Sequence, residues 1–125
     1  MWRVQTNSDM FAPGQPIEGT VEWSDLPVKT KSIEVRLIWH TEGKGTLDFE
    51  LIANEEINFS SPTESSGSFS FIAPHRPLSF SGQLISLVWA IEVIAFPTQE
   101  SERKHILISN SKHEILLVSN QTPDQ

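Results

Sequence analysis

Apolar and polar residues alternate along almost the whole chain, and a period of two is what a strand with one buried face requires. From Ser32 to His40, Ile33, Val35, Leu37 and Trp39 fall on one side, and Glu34, Arg36 and His40 fall on the other. Glu42-Gly43-Lys44-Gly45 then supplies turn residues, with Gly43-Lys44-Gly45 as the tip. After it, Leu47, Phe49 and Leu51 alternate with Asp48 and Glu50 as the second strand of a hairpin. The polar face of this hairpin is expected to be wet. The stretch Ser60 to Gly67 is a loop by composition, and it leads into Phe69 and Phe71, alternating with Ser68 and Ser70, before Pro74 stops the strand.

The segment from Leu84 to Phe96 is apolar on both faces. Ile85, Leu87, Trp89, Ile91 and Val93 share one phase, and Leu84, Val88, Ile94 and Phe96 share the other. It contains Ser86 and Glu92 and is shorter than the ~20 apolar residues of a membrane-spanning helix, so a central strand is expected. Two shorter strands, Lys104 to Ser109 and Glu114 to Asn120, follow and are joined by Asn110-Ser111-Lys112-His113. With Thr20 to Trp23 and an edge strand from Trp2 to Thr6, the count is seven or eight strands and no helix. Short strands between regular turns, in a chain of 125 residues, predict an all-β, immunoglobulin-like two-sheet sandwich, mostly antiparallel, with Greek-key connections. One domain over residues 1–120 and a short flexible tail at 121–125 follow from the absence of any repeat or long linker.

Two segments carry a more specific signal: Phe11-Ala12-Pro13-Gly14-Gln15-Pro16-Ile17-Glu18-Gly19-Thr20-Val21, and Pro77-Leu78-Ser79-Phe80-Ser81-Gly82 feeding the long strand. Pro13 sets φ ahead of Gly14, which is free to take φ > 0, while Gly19 and Gly82 stand at strand starts where a neighbouring backbone comes close. These paired turns resemble the signatures of the arrestin-like β-sandwich family, whose branches include arrestin N-terminal, sporulation-control and retromer-type folds. The resemblance implies an arrestin-like sandwich and a non-catalytic adaptor or scaffold role in trafficking or signalling. Family members typically carry two sandwiches in tandem, whereas this chain has room for one. A homodimer through a free edge strand is one way of supplying the second lobe. There is no tyrosine, so the Pro-Pro-x-Tyr tails of some relatives are missing.

Charge and composition narrow the function classes. Nine Lys and Arg against sixteen Asp and Glu give −7, which repels nucleic-acid backbones and anionic membranes. With no cysteine, disulfides, thiolate metal sites and cysteine nucleophiles are excluded. Met1 to Asn7 lacks a basic stretch followed by an apolar one, so no secretory signal is expected and the cytoplasm is the expected compartment.

Nothing in the motifs assigns a catalytic, cofactor or metal site. His40, His75, His105 and His113 form no short metal-binding pair, so only the fold could bring them together. Gly-x-Ser-x-Gly is absent, and Ser79 sits inside the resemblance turn. From Glu42 to Glu64 six acids face one base, Lys44, which favours a basic partner for this hairpin. A protein partner is therefore expected, docking on an exposed sheet edge or on an apolar outer face formed by Leu84, Val88, Ile94 and Phe96. Two alternatives stand beside it. One is a carbohydrate-binding module using Trp2 and Trp23. The other is a metal-dependent enzyme assembled from His40, His105 and the acids of the Asp48 strand. Trp39, Phe49, Phe69, Phe71 and Trp89 are assigned to the core by phase.

Overall fold

The computed structural model describes residues 2–27, 29–43, 48–58, 66–81 and 85–109. Nine strands appear in it: β1 (Trp2–Thr6), β2 (Met10–Phe11), β3 (Pro16–Trp23), β4 (Ser32–Gly43), β5 (Phe49–Asn58), β6 (Ser66–Ile72), β7 (Phe80–Ser81), β8 (Ile85–Phe96) and β9 (Ser101–Ile108). They form an all-β sandwich. The small sheet has the order β1-β3-β6 and the large one the order β2-β9-β8-β4-β5, with β7 also on β8. All pairings are antiparallel except β2 with β9. The expected strand Glu114 to Asn120, the turn before it, Leu47 and the loop residues Ser60 to Ser65 lie outside the described residues.

The alternation seen in the sequence sets the packing. Ile17, Val21 and Trp23 of β3 and Phe69 and Phe71 of β6 point inward from the small sheet, meeting Ile33, Val35, Leu37, Trp89, Ile91, Val93, Ile106 and Ile108 of the large one. Each fully buried Leu, Ile or Val of this set contributes about 1.5–3 kcal/mol relative to exposure. β8 is hydrogen-bonded on both edges, to β4 along its whole length and to β7 and then β9 on the other side. Its central position explains why its sequence is apolar on both phases.

Several boundaries and faces differ from the sequence expectation. β3 begins at Pro16 rather than Thr20, because Pro16 to Gly19 pair with Phe69 to Ile72 of β6 and the proline is the first residue of the strand, where its missing N–H costs nothing. β2 and β7 have two residues each, too short for any periodicity to register. Phe49 is not core: it is 51% exposed on the outer face of the large sheet. The reason is a bulge. Leu37 pairs with Ala53 but Ile38 pairs with Leu51, so Ile52 is an extra residue in β5 and the strand changes phase there.

Candidate functional site

The two resemblance turns are built by backbone bonding to distant strands. Gly14 has φ 88°, its N–H donates to the Ala73 carbonyl (2.7 Å), and the Ala73 N–H donates back to Gln15 (2.9 Å). Across the molecule, the Ser79 N–H donates to the Ile108 carbonyl (2.8 Å) and the Ile108 N–H donates to Ser79 Oγ (3.0 Å), so this serine closes the end of β9. Trp89 Nε1 donates to the Pro77 carbonyl at 2.8 Å and ties the same connection to the core. Phe80 is exposed on β7, and Gly82 lies outside the described residues.

The outer face of the large sheet carries the polar chemistry. In the register, Arg103 of β9, Glu92 of β8, Arg36 of β4 and Asn54 of β5 stand in one row. Glu92, whose side chain is only 10% exposed, accepts from Arg103 Nε at 2.9 Å and lies 3.6 Å from Arg36 Nη1. Arg36 Nε in turn donates to Glu34 Oε2 (2.8 Å), which also accepts from Asn54 Nδ2 (2.9 Å). These bonds hold the Glu34 carboxyl below its ordinary pKa of 4.5, the Arg36 bond contributing most and Asn54 next, against an opposing effect of burial. The guanidinium of Arg36 lies 5.9 Å from the Phe96 ring, and that of Arg103 lies 5.6 Å from Phe49. Arg103 and Phe49 come from strands separated by β8 and β4, and the register sets their meeting above Ala90 and Ile38, which are fully buried although they face outward. The hairpin face expected to be wet is thus partly covered by long side chains of β4 and β9, while Phe49 and Leu51 stay exposed.

Higher on the same face, His40 and Glu42 of β4 point the same way, as residues two apart on a strand must. His105 of β9 joins them. Its ring lies 5.8 Å from that of His40, and His40 Nδ1 is 3.8 Å from Glu42 Oε2. The intervening strand β8 presents Ser86, Val88 and Ala90 here, small enough for side chains of β4 and β9 to meet over it. His40 Nε2 is buried and has no hydrogen-bond partner. Next to the cluster opens a cavity of about 410 Å³, lined by Asp9, Glu42, Ser79, Ser86, His105 and Leu107 among others. Asp48 and Glu50, the acids the sequence offered for such a site, are not part of the group.

Of the apolar set expected on the outer face, Val88, Ile94 and Phe96 do face outward and are half-buried, but Ala90 and Glu92 stand between Val88 and Ile94, and Phe96 is engaged by Arg36. Leu84 lies outside the described residues. The carbohydrate alternative loses one of its two aromatic platforms, since Trp23 is 8% exposed and sits in the core opposite Trp2. The metal-site alternative set His40 and His105 together but with the acids of the Asp48 strand; what the sequence did not show is Glu42 as the acid of the group, or the joining of Glu92 with two arginines. The shared phase of His40 and Glu42 was visible, but the pairing of β9 beside β8 was not.

No protein-family model and no curated protein matches the chain. Among solved structures, the fold is similar to Spo0M, the sporulation control protein of Bacillus subtilis, at 15% identity and a TM-score of 0.63. That match covers 95% of this chain and 54% of Spo0M, so the chain spans about half the length of that protein. It is also similar to the superoxide reductase neelaredoxin of Ignicoccus hospitalis, at 12% identity and a TM-score of 0.51, over 86% of this chain and 80% of the reductase. At these identities the likeness is one of β-sandwich fold. No helix among the described residues is long and apolar enough to cross a membrane.

Proposed function

We propose that this chain is a non-catalytic adaptor or scaffold module of the arrestin-like type, working in the cytoplasm, that takes an extended basic segment of a partner protein along the free edge of β5. The observation that carries this reading is the edge itself. β5 is ten residues long and, among the described residues, is hydrogen-bonded only to β4, leaving one row of backbone donors and acceptors unpaired. Beyond the bulge, Ala53 to Ile57 run regularly and carry exposed Glu55 and Glu56. β6 is likewise an edge of the small sheet, and an open cleft lined by Glu18, Glu55, Glu56, Ser68, Phe69 and Ser70 lies along this side of the sandwich. An added strand gains affinity from main-chain bonds and selectivity from the acids, which favour Lys and Arg. Phe49 and Leu51, 51% and 43% exposed, extend the same edge with apolar surface.

The outer-face set Leu84, Val88, Ile94 and Phe96 is the alternative docking surface, and a second copy of the chain is an alternative occupant of the β5 edge. Selection from a random peptide library against the wild-type protein distinguishes these. Enrichment of basic, β-forming peptides whose binding is lost in a folded Glu55→Lys, Glu56→Lys variant supports the edge. Peptides that bind this variant as well but are lost in Phe96→Glu move the site to the outer face.

A further inference from the structure

We propose that His40, Glu42 and His105 form a binding site for a divalent first-row transition-metal ion, with zinc as the representative. The donor set is two imidazoles and one carboxylate, a combination suited to zinc and its neighbours rather than to calcium or magnesium, which prefer oxygen alone. One ligand atom from each residue lies within 4.8 Å of the other two. Bonds of about 2.0–2.2 Å in tetrahedral geometry place donors about 3.3–3.5 Å apart, so the cluster must contract modestly. His40 Nδ1 and Glu42 Oε2 are nearly there at 3.8 Å. The remaining movement falls to exposed side chains, since Glu42 and His105 are both exposed while His40 is held at 12% exposure.

Two further observations point to a ligand. His40 Nε2 is buried with no hydrogen-bond partner, so no bond through that nitrogen holds the ring against the small turn that coordination through Nδ1 requires. In addition, the cavity of about 410 Å³ beside Glu42 and His105 gives the cluster access to solvent. Three protein donors and an open side leave a coordination position for water or for a side chain of a bound partner. The acidity of the chain adds a favourable long-range field for a cation.

The test is isothermal titration of zinc chloride into untagged, chelator-treated full-length protein at pH 7.4, beside Glu42→Gln, His105→Ala and, as a control outside the cluster, His75→Ala. One ion per chain with a dissociation constant on the order of 1 μM is expected. Binding should weaken by about tenfold or more in each cluster variant and be unchanged in His75→Ala. Long-range proton–nitrogen NMR of the imidazoles gives a second readout, in which zinc should shift the His40 and His105 nitrogens and leave His75 in place. The proposal is overturned if wild type binds no zinc up to about 1 mM. It also falls if Glu42→Gln and His105→Ala bind as wild type does, or if the shifted imidazoles are others.

Discussion

Gly19 has no room for a side chain. A Cβ there would overlap the Gln5 carbonyl oxygen on β1 and the Phe69 ring on β6, and the first of these is backbone inside a hydrogen-bonded ladder, so it cannot swing aside. Gly19→Ala should therefore destabilise the protein by about 1–3 kcal/mol in urea denaturation, the cost of overpacking, and wild-type stability would mean that β1 sits loosely on β3. Gly14 is required for the opposite reason: nothing lies within 4 Å of its missing Cβ, and the constraint is its positive φ. The difference bears on what a sequence reveals. A Pro-Gly pair announces its own dihedral angles, whereas the crowding at Gly19 comes from Gln5 and Phe69, on two other strands. His40 and His105 present the same situation at the candidate metal site, where two unremarkable spacings become a cluster only through strand order.

At the scale of elements, the outer face of the large sheet is held by ion pairs that link β9, β8 and β4, with the Asn54 hydrogen bond to Glu34 adding β5. Glu34 is the member whose titration is shifted, its pKa lowered by the Arg36 and Asn54 bonds. A lowered folded-state pKa means that the stabilisation is complete above the unfolded value near 4.5 and is lost as pH falls through the lower folded value. Glu34→Gln should thus cost about 1–2 kcal/mol at pH 7, and its difference from wild type should shrink steadily below pH ~4.5 in denaturant titrations. A pH-independent difference would place the cost in packing instead. The long strand β8 illustrates both success and limit at this scale. Its two apolar phases marked it as central, yet the run of Val88, Ile94 and Phe96 is divided by Glu92, which looks like an isolated acid until Arg36 and Arg103 are brought to either side. β5 fails more plainly: alternation assigned Phe49 to the core, and the bulge at Ile52 put it outside.

For the whole molecule, the net charge of −7 and the open side between β5 and β6 act together. If the acids of that side select the partner, affinity for a basic peptide should be steeply salt-dependent. Between about 0.1 M and 1 M salt the screening length falls from about 10 Å to about 3 Å, and binding measured by fluorescence anisotropy should weaken by about tenfold or more. Binding that is flat with salt would assign the interaction to Phe49 and Leu51. The β5 bulge and its acids are equally devices that keep this edge from pairing indiscriminately. Peptide selection and sedimentation of the same sample separate partner capture from self-association.

Consecutive residues carry the class of fold, the inward residues of β4, β6 and β8, and the turns at Gly14 and Ser79, because period-two burial and turn dihedrals are local properties. They also carry the acidity of the β4–β5 hairpin. What consecutive residues do not carry is that Phe49 is outside, that Trp23 is buried, that Glu92 lies between two arginines, and that Glu42 is the acid that meets His40 and His105. Each of these depends on which strand lies beside which and in what register, and a one-residue bulge or a single crossover changes that register without leaving a mark in the local pattern.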